Sequence, residues 1–411
     1  MMRKLLPICL VLGCLLNFTS CGSTEIQKGP VENLPELDVV AGTEPEEDLS
    51  YDDGHVLLFD ATFDNGLCVK IRDNGEMELS GCDVVDTLKE YTPLKDYLPD
   101  VTHLIFSDGV TRIGEKTFFA FDTIKKVSFG SDVKEIGYGA FSECKALADI
   151  SFGEGVETIE DYAFSGCGAL KDVILNDSLQ TIGSYVFSDC KVLKSASLGS
   201  NIQSMGYSIF NGCEMLKSLR CGSSISESAF SDIPSLESIV TEETVMTIGS
   251  RAFSGCTGLK RVELREGVQL VDDYAFYRCT ALTNIEIPAS VTKIGTEAFA
   301  GCTALSNFRI SEGGCAVLGR EALSDCTALK TLNLGEGIAE IGDKALKGCT
   351  ALEELILPRS IKKIGFHFMD GVSNLRTFGY RGSRAEWYKV KLADNWNAGA
   401  ALFIPKFNYK D

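Results

Sequence analysis

The fold is decided by the stretch TIGSRAFSGCTGLKRVELREGV (residues 247–268), which returns almost unchanged as LVDDYAFYRCTALTNIEIPASV (residues 270–291). The Phe of each copy marks a position that recurs twelve times, with a step of 23 residues except for one step of 20 and one of 24. A fixed period of about 20 to 50 residues is the signature of a repeat protein. The residues at this position, hereafter the spine position, are Phe118, Phe141, Phe164, Phe187, Phe210, Phe230, Phe253, Phe276, Phe299, Leu323, Leu346 and Met369.

Each copy keeps the same frame around the spine position. An aliphatic residue, usually Ile before Gly, stands five residues earlier, and an alternating segment such as Val262-Glu263-Leu264 closes the copy. One copy alone buries too little apolar surface to be stable, whereas stacked copies share a continuous hydrophobic core. We therefore predict a β-rich solenoid of about twelve 23-residue repeats, with a parallel sheet on the concave face and short helical or irregular turns on the convex side. Glycines of the Ile-Gly pairs and of corners such as Gly335-Glu336-Gly337 fit tight bends with positive φ.

The start of the chain has the pattern of an export signal. Residues 1–20 combine a basic start with an apolar run over residues 5–16, too short to cross a membrane, and Ser20 precedes Cys21. This end resembles a bacterial lipoprotein signal, in which the cysteine is acylated. We expect lipidation at Cys21 and a lipid-anchored, acidic, flexible linker over residues 21–53, because residues 22–53 hold ten acidic residues and one Lys.

The repeats are flanked by two segments outside the period. Residues 54–97 carry a β-hairpin signal, in which the loop Asp73-Asn74-Gly75 puts Ile71 opposite Met77 and Val69 opposite Leu79. We predict that this hairpin is an N-terminal cap on a solenoid over residues 98–380, and that residues 381–411 form a C-terminal cap. In that register Cys68 faces Ser80, so two free thiols are favoured over a Cys68–Cys82 disulfide.

Charge and cysteine usage exclude several functions. The 39 basic and 58 acidic residues give a net charge of −19, which argues against nucleic acid as a partner. Nine of the sixteen cysteines stand three residues after the spine position, where Phe121, Ile233 and Val372 occupy the other copies. A position that accepts Ile and Val favours buried free thiols. Disulfides between adjacent copies and a metal site are the less favoured alternatives. No metal or cofactor is expected.

The chain resembles a known family at several points. IEIPASVTKIGTEAFAGCTALSNF (residues 285–308) and LILPRSIKKIG (residues 355–365) resemble the BspA-like class of leucine-rich repeat found in surface proteins of bacteria. The hairpin IRDNGEMELSG and the segment YRGSRAEW (residues 380–387) resemble the two ends of the same family. The resemblance implies a curved leucine-rich-repeat solenoid and a role in adhesion or host interaction. Together with the export signal and Cys21, it predicts an exported, lipid-anchored protein at the cell surface or on the outer or cytoplasmic membrane.

The outward strand positions supply the candidate binding residues. Early copies carry short or bland side chains there, such as Ser151 and Ser197. Later copies carry long polar groups, and Arg is favoured at protein interfaces. No catalytic motif is present, so we expect a non-enzymatic protein that binds extracellular, host or other-cell proteins, with a glycan-binding or cell-envelope scaffolding module as the alternative. The candidate partner-binding residues are Arg220, Arg261, Glu263, Arg265, Asn284, Glu286, Asn307 and Arg309.

Overall fold

A computed structural model describes residues 51–52, 54–63, 65–84, 94–398 and 405–409. The chain divides at residue 38 into two units, and every described residue belongs to the second, residues 39–411. The export signal, Cys21 and nearly all of the expected linker therefore lie outside the described residues.

The repeats form a parallel β-solenoid, which confirms the predicted fold. Each turn contributes one long strand, and neighbouring long strands pair in parallel. Their register places equivalent residues of successive copies side by side, as with Arg261 and Asn284. The long strands form three consecutive sheets, divided between residues 151 and 172 and between residues 310 and 331. They are β5 (His103–Phe106), β7 (Lys126–Phe129), β9 (Asp149–Ser151), β11 (Asp172–Ile174), β13 (Ser195–Leu198), β15 (Ser218–Cys221), β16 (Ser238–Thr241), β18 (Arg261–Glu263), β20 (Asn284–Ile287), β22 (Asn307–Ile310), β24 (Thr331–Asn333), β26 (Glu354–Leu357) and β28 (Thr377–Tyr380).

A second row of parallel strands runs along the solenoid, and the sequence did not reveal it. The aliphatic residue of each Ile-Gly pair ends a two-residue strand, and its side chain enters the core, as at Ile294. This row breaks at the copy shortened to 20 residues, where Ile225 forms only an isolated bridge to Ile248. The short strands are β6 (Arg112–Ile113), β8 (Glu135–Ile136), β10 (Thr158–Ile159), β12 (Thr181–Ile182), β14 (Ser204–Met205), β17 (Thr247–Ile248), β19 (Leu270–Val271), β21 (Lys293–Ile294), β23 (Val317–Leu318), β25 (Glu340–Ile341), β27 (Lys363–Ile364) and β29 (Lys391–Leu392).

The spine position lies at the centre of the core. From Phe118 to Phe299 the rings of successive turns stack with centroids 5.2 to 5.9 Å apart, and each ring is fully buried. The shortened copy does not interrupt this column, because Phe210 and Phe230 still stack at 5.9 Å. Ring stacking and strand pairing therefore follow the same turn-to-turn period.

The turn around the spine position is irregular rather than helical. Two residues before and two residues after it, the backbone is left-handed in all twelve copies, with φ between 50° and 78°. After the spine position, a long polar residue and Gly tend to alternate from one copy to the next. A Cβ on Gly212 would lie 2.5 Å from Oδ1 of Asp189, and one on Gly255 would lie 2.2 Å from Oδ1 of Asp232. The polar side chain of one turn thus occupies the space that Gly leaves in the next.

The expected reason for glycine after the short strands was wrong. Gly295 does not have a positive φ; instead, a Cβ there would lie 2.5 Å from the backbone nitrogen of Asp273 in the preceding turn. The Ile-Gly pairs therefore keep glycine because consecutive turns approach closely. At the corner, by contrast, Gly337 does have φ +123°.

The first turn is covered by an antiparallel sheet. It contains β1 (Tyr51–Asp52), β2 (His55–Thr62), β3 (Cys68–Arg72) and β4 (Glu76–Ser80), and β4 then pairs in parallel with β5. The predicted hairpin register is confirmed, since Ile71 pairs with Met77 and Val69 with Leu79. Strand β2, which the sequence did not reveal, pairs antiparallel with the outer edge of β3.

Aromatic side chains close the other end. Trp387, on the short helix α1 (Arg384–Trp387), packs edge-on against Phe378 and Tyr380. Ser383 and Glu386 form a capping box at the start of this helix. The last strand, β30 (Lys406–Phe407), pairs with β28, and a 3-10 turn at Leu98–Asp100 precedes the first long strand. Within the described part of the chain, no helix has the length and apolarity to cross a membrane.

Candidate interaction surface

The eight candidate residues lie on or just after four of the long strands, on the outward side of the sheet. We call this outward side the long-sheet face. Strand alternation sends Val262 and Ile285 into the core, where they are at most 8% exposed, while Arg261 and Asn284 face solvent. Register then sets neighbours across strands: Asn284 pairs with Asn307, and Glu286 with Arg309. The structure therefore places seven of the eight candidate residues in two columns, with Val240 between Arg220 and Glu263, and Arg265 lies just beyond the strand end.

Arginine on this face is largely matched by carboxylate. Glu263 bonds Arg261 at 3.0 Å and Arg265 at 2.7 Å, and Arg220 contacts Glu242. Arg265 lies beyond the end of β18, and this ion pair brings its guanidinium to the strand face. The three arginine side chains remain 53% to 72% exposed, so each pair contributes at most about 1 kcal/mol. These arginines can exchange their partners for carboxylates of another protein at little cost.

Earlier strands present a different surface. Ser128, Ser151 and Ser197 hold outward positions there, and His103 Nε2 lies 3.0 Å from Ser128 Oγ. Ile174, which sequence reasoning passed over, is 75% exposed beside Ser197. The sequence feature that could have identified Ile174 is an aliphatic residue at an outward strand position where the neighbouring copies carry Ser. The long-sheet face thus changes from short hydroxyl side chains to paired charges along the solenoid.

The cysteine column is buried and hydrogen-bonded. Each thiol donates to the backbone carbonyl of the spine residue one turn earlier, as in Cys279 Sγ to Phe253 O at 3.3 Å. The sequence indicated burial but not this bond, which Phe121, Ile233 and Val372 at the equivalent positions cannot form. All described cysteines are free thiols. The nine column members are Cys144, Cys167, Cys190, Cys213, Cys256, Cys279, Cys302, Cys326 and Cys349.

Burial also lowers the reactivity of thiols in this column. It raises the pKa of Cys256 and of Cys349 to about 12, from an ordinary value of 9.0. Because the thiolate is the nucleophile and the metal ligand, protonated thiols in the core serve packing rather than chemistry. Among the described residues, no group of three or more His, Cys, Asp or Glu could hold a metal ion.

The histidines lie apart from one another. His55 contacts Asp73 in the cap, His103 lies on the first long strand, and His367 stacks on Phe366 near the last turn. Burial and the nearby charge of Lys126 lower the pKa of His103. The structure therefore brings no two of the three histidines into a common site.

Comparison with known proteins identifies the repeat. The sequence profile of the BspA type leucine rich repeat region matches residues 96–217, 223–323 and 313–386. Solved structures similar to this chain include leucine-rich repeat proteins from Bacteroides ovatus (21% identity, 89% of this chain and 100% of that one, TM-score 0.47) and Eubacterium ventriosum (21%, 83% and 94%, 0.43). A leucine rich cell surface protein from Faecalibacterium prausnitzii is 23% identical over 81% of this chain and 97% of its own, with a TM-score of 0.36. Among curated proteins, no sequence matches this chain.

The buried thiols predict a fall in stability at alkaline pH. Above about pH 9, unfolding releases protons because exposed thiols ionise while Cys256 and Cys349 in the fold do not. The free energy of unfolding should therefore decrease as pH rises, by up to about 1.4 kcal/mol per pH unit for each thiol. The double variant Cys256→Ala/Cys349→Ala should show a shallower decrease in denaturant titrations at several pH values. Parallel curves for parent and variant would contradict the assignment.

Proposed function

Because the chain belongs to the BspA-type leucine-rich repeat family, we propose that it is an exported, lipid-anchored protein of the cell surface. In this proposal it binds proteins of its surroundings, of a host or of other cells, through the long-sheet face. Leucine-rich repeat proteins generally bind proteins, and their solenoid is typically a non-catalytic scaffold. The observation that carries the proposal is the series of exposed Arg–Glu pairs between Arg220 and Arg265.

The geometry of the long-sheet face supports a protein partner. From Arg220 on β15 to Arg309 on β22 the surface crosses five strands, or roughly 20 Å at the usual strand spacing. A standard interface buries about 800 Å² on each partner, so a protein bound to this patch would also contact flanking strands of the long-sheet face. Arg309 differs from the other arginines, since no described carboxylate oxygen lies within 4 Å of its guanidinium. Its guanidinium is open to a carboxylate of a partner, although Glu286 stands beside it on the neighbouring strand.

A glycan ligand on this face has less support. Stacking against sugar rings requires exposed aromatic faces, and no Trp, Tyr or Phe holds an outward strand position between residues 103 and 333 of the described chain. The matched pairs of charged side chains instead favour a charged partner. The rate at which such a partner associates should depend on salt concentration.

Anchoring is tested at Cys21. If acylation of this residue holds the acidic linker at a membrane, Cys21→Ser should release the protein into the medium or the periplasm. Membrane fractionation with immunodetection measures the shift, and a Cys9→Ser variant inside the leader is the matched control. A Cys21→Ser protein that stays with the membrane fraction would contradict lipid anchoring.

Binding is tested by removing the positive charges of the face. In a quadruple variant, Arg220, Arg261, Arg265 and Arg309 become Gln, which adds no new carboxylate beside Glu263. We expect the affinity for a partner recovered with the parent protein to fall at least about tenfold. Thermal unfolding should hardly change, because the lost pairs are exposed.

The matched control removes four positive charges from the turns instead. It changes Lys145, Lys191, Lys344 and Lys347 to Gln and should leave binding, measured by biolayer interferometry, nearly intact. Equal losses in both variants would attribute binding to net charge alone. No loss in the arginine variant would place the binding surface elsewhere.

A further inference from the structure

Four tyrosines form a column on the turns that follow the short strands, away from the long-sheet face. We call Tyr138, Tyr162, Tyr185 and Tyr207 the tyrosine ladder. Their ring centroids are 5.7, 5.1 and 5.3 Å apart in sequence order. The two inner rings stack face to face, whereas the outer rings, 37% and 53% exposed, are tilted by 60° and 83° against their neighbours. The two outer rings therefore keep aromatic faces that the ladder itself does not cover.

An acidic groove lies beside the first ring of the ladder. It has a volume of about 280 Å³ and is lined by Tyr138, Glu160, Asp161, Thr158 and Thr181. Glu160 stands directly after Ile159, at a position where neighbouring copies carry Gly, and it accepts the Tyr138 backbone N–H at 2.7 Å. The sequence thus departs from its own repeat pattern at the place where carboxylate enters the groove.

Among the described residues, no basic side chain forms an ion pair with Glu160 or Asp161, although the charge of Arg112 acts on Glu160. Burial and the adjacent carboxylate of Glu135 raise the pKa of Glu160, although its Tyr138 hydrogen bond acts in the opposite sense. Arg112 bonds Glu135 at 2.8 Å and not Glu160. A cation that entered the groove would relieve this electrostatic penalty.

Two tyrosines on equivalent turns of the same chain, one of them in the ladder, show which group such rings accept. The sequence Asp272-Asp273-Tyr274 repeats the pattern of Glu160-Asp161-Tyr162 five copies later. There the guanidinium of Arg251, from the preceding turn, lies 4.9 Å from the Tyr274 ring centroid. Lys116 likewise lies 5.2 Å from the Tyr138 centroid. At the position equivalent to Arg251, the turn before Tyr162 has Gly139, which supplies no cation.

We propose that the tyrosine ladder and the acidic groove beside it bind an arginine-rich segment of another polypeptide. Guanidinium groups fit both components, because they stack on aromatic faces and donate paired hydrogen bonds to carboxylates. In the bound state one guanidinium takes the place of the exposed Lys116 ammonium on the Tyr138 ring and bonds Glu160, and another lies on the exposed ring of Tyr207. This surface is separate from the one proposed for the long-sheet face.

The test measures binding of a fluorescein-labelled hexa-arginine peptide by fluorescence anisotropy at low and at physiological ionic strength. Tyr138→Leu/Tyr207→Leu should weaken binding roughly five- to tenfold, the loss of two cation–π contacts, while Tyr138→Phe/Tyr207→Phe should retain it. Glu160→Gln should also weaken binding, and it does not alter the rings. The control for the rings is Tyr274→Leu, at a ring outside the ladder, and the control for charge is Glu154→Gln in a corner of the same copy.

Three results would overturn the proposal. If Glu154→Gln weakens binding as much as Glu160→Gln does, the peptide follows only the net negative charge. If the Leu variant binds like the parent, the rings take no part. If a neutral chito-oligosaccharide binds in a tyrosine-dependent manner while hexa-arginine does not, the ladder is a glycan platform instead. Thermal unfolding of each variant checks that the fold is kept, and Glu160→Gln provides the test if the Leu variant unfolds.

Discussion

The structure depends on a single repeat distance along the solenoid axis. Parallel strands pair at about 4.8 Å, and the spine rings stack at 5.2 to 5.9 Å, so backbone hydrogen bonds and aromatic packing are satisfied by the same advance per turn. Every other contact between turns adapts to that distance. Gly295 is required because a Cβ would meet the turn before it, and the Cys279 thiol reaches the Phe253 carbonyl because the turns lie one step apart.

The sequence predicted those features that repeat with a clear period. The spine position, the cysteine column and the cap register of Ile71 opposite Met77 follow from spacing and alternation, and the structure confirms them. The short strands were missed because two residues, as in Lys293–Ile294, are too few to show alternation. The left-handed turns were missed because residues as different as Tyr162 and Lys344 adopt the same φ, so composition carries no signal.

The candidate surface was predictable in position but not in its pairing. Alternation places Arg261 outward, yet only side-chain conformation shows that it shares Glu263 with Arg265. The tyrosine ladder was not predicted, because its residues lie on turns and not at outward strand positions. Its signal in the sequence was Tyr two or three residues before the spine position in four consecutive copies, from Tyr138 to Tyr207. In a solenoid, residues at any position that recurs once per turn lie in a column. Turn positions can therefore form a binding surface as well as strand positions.

The most direct test of this account is the contribution of a buried spine ring to stability. Phe276 stacks on Phe253 at 5.4 Å and on Phe299 at 5.2 Å and is fully buried. Phe276→Ala should lower the free energy of unfolding in urea by about 3 to 5 kcal/mol. Met246→Ala, at a side chain that is 50% exposed, should change it little. A loss below about 1 kcal/mol at Phe276, or equal losses at both sites, would show that the ring column does not hold the turns together.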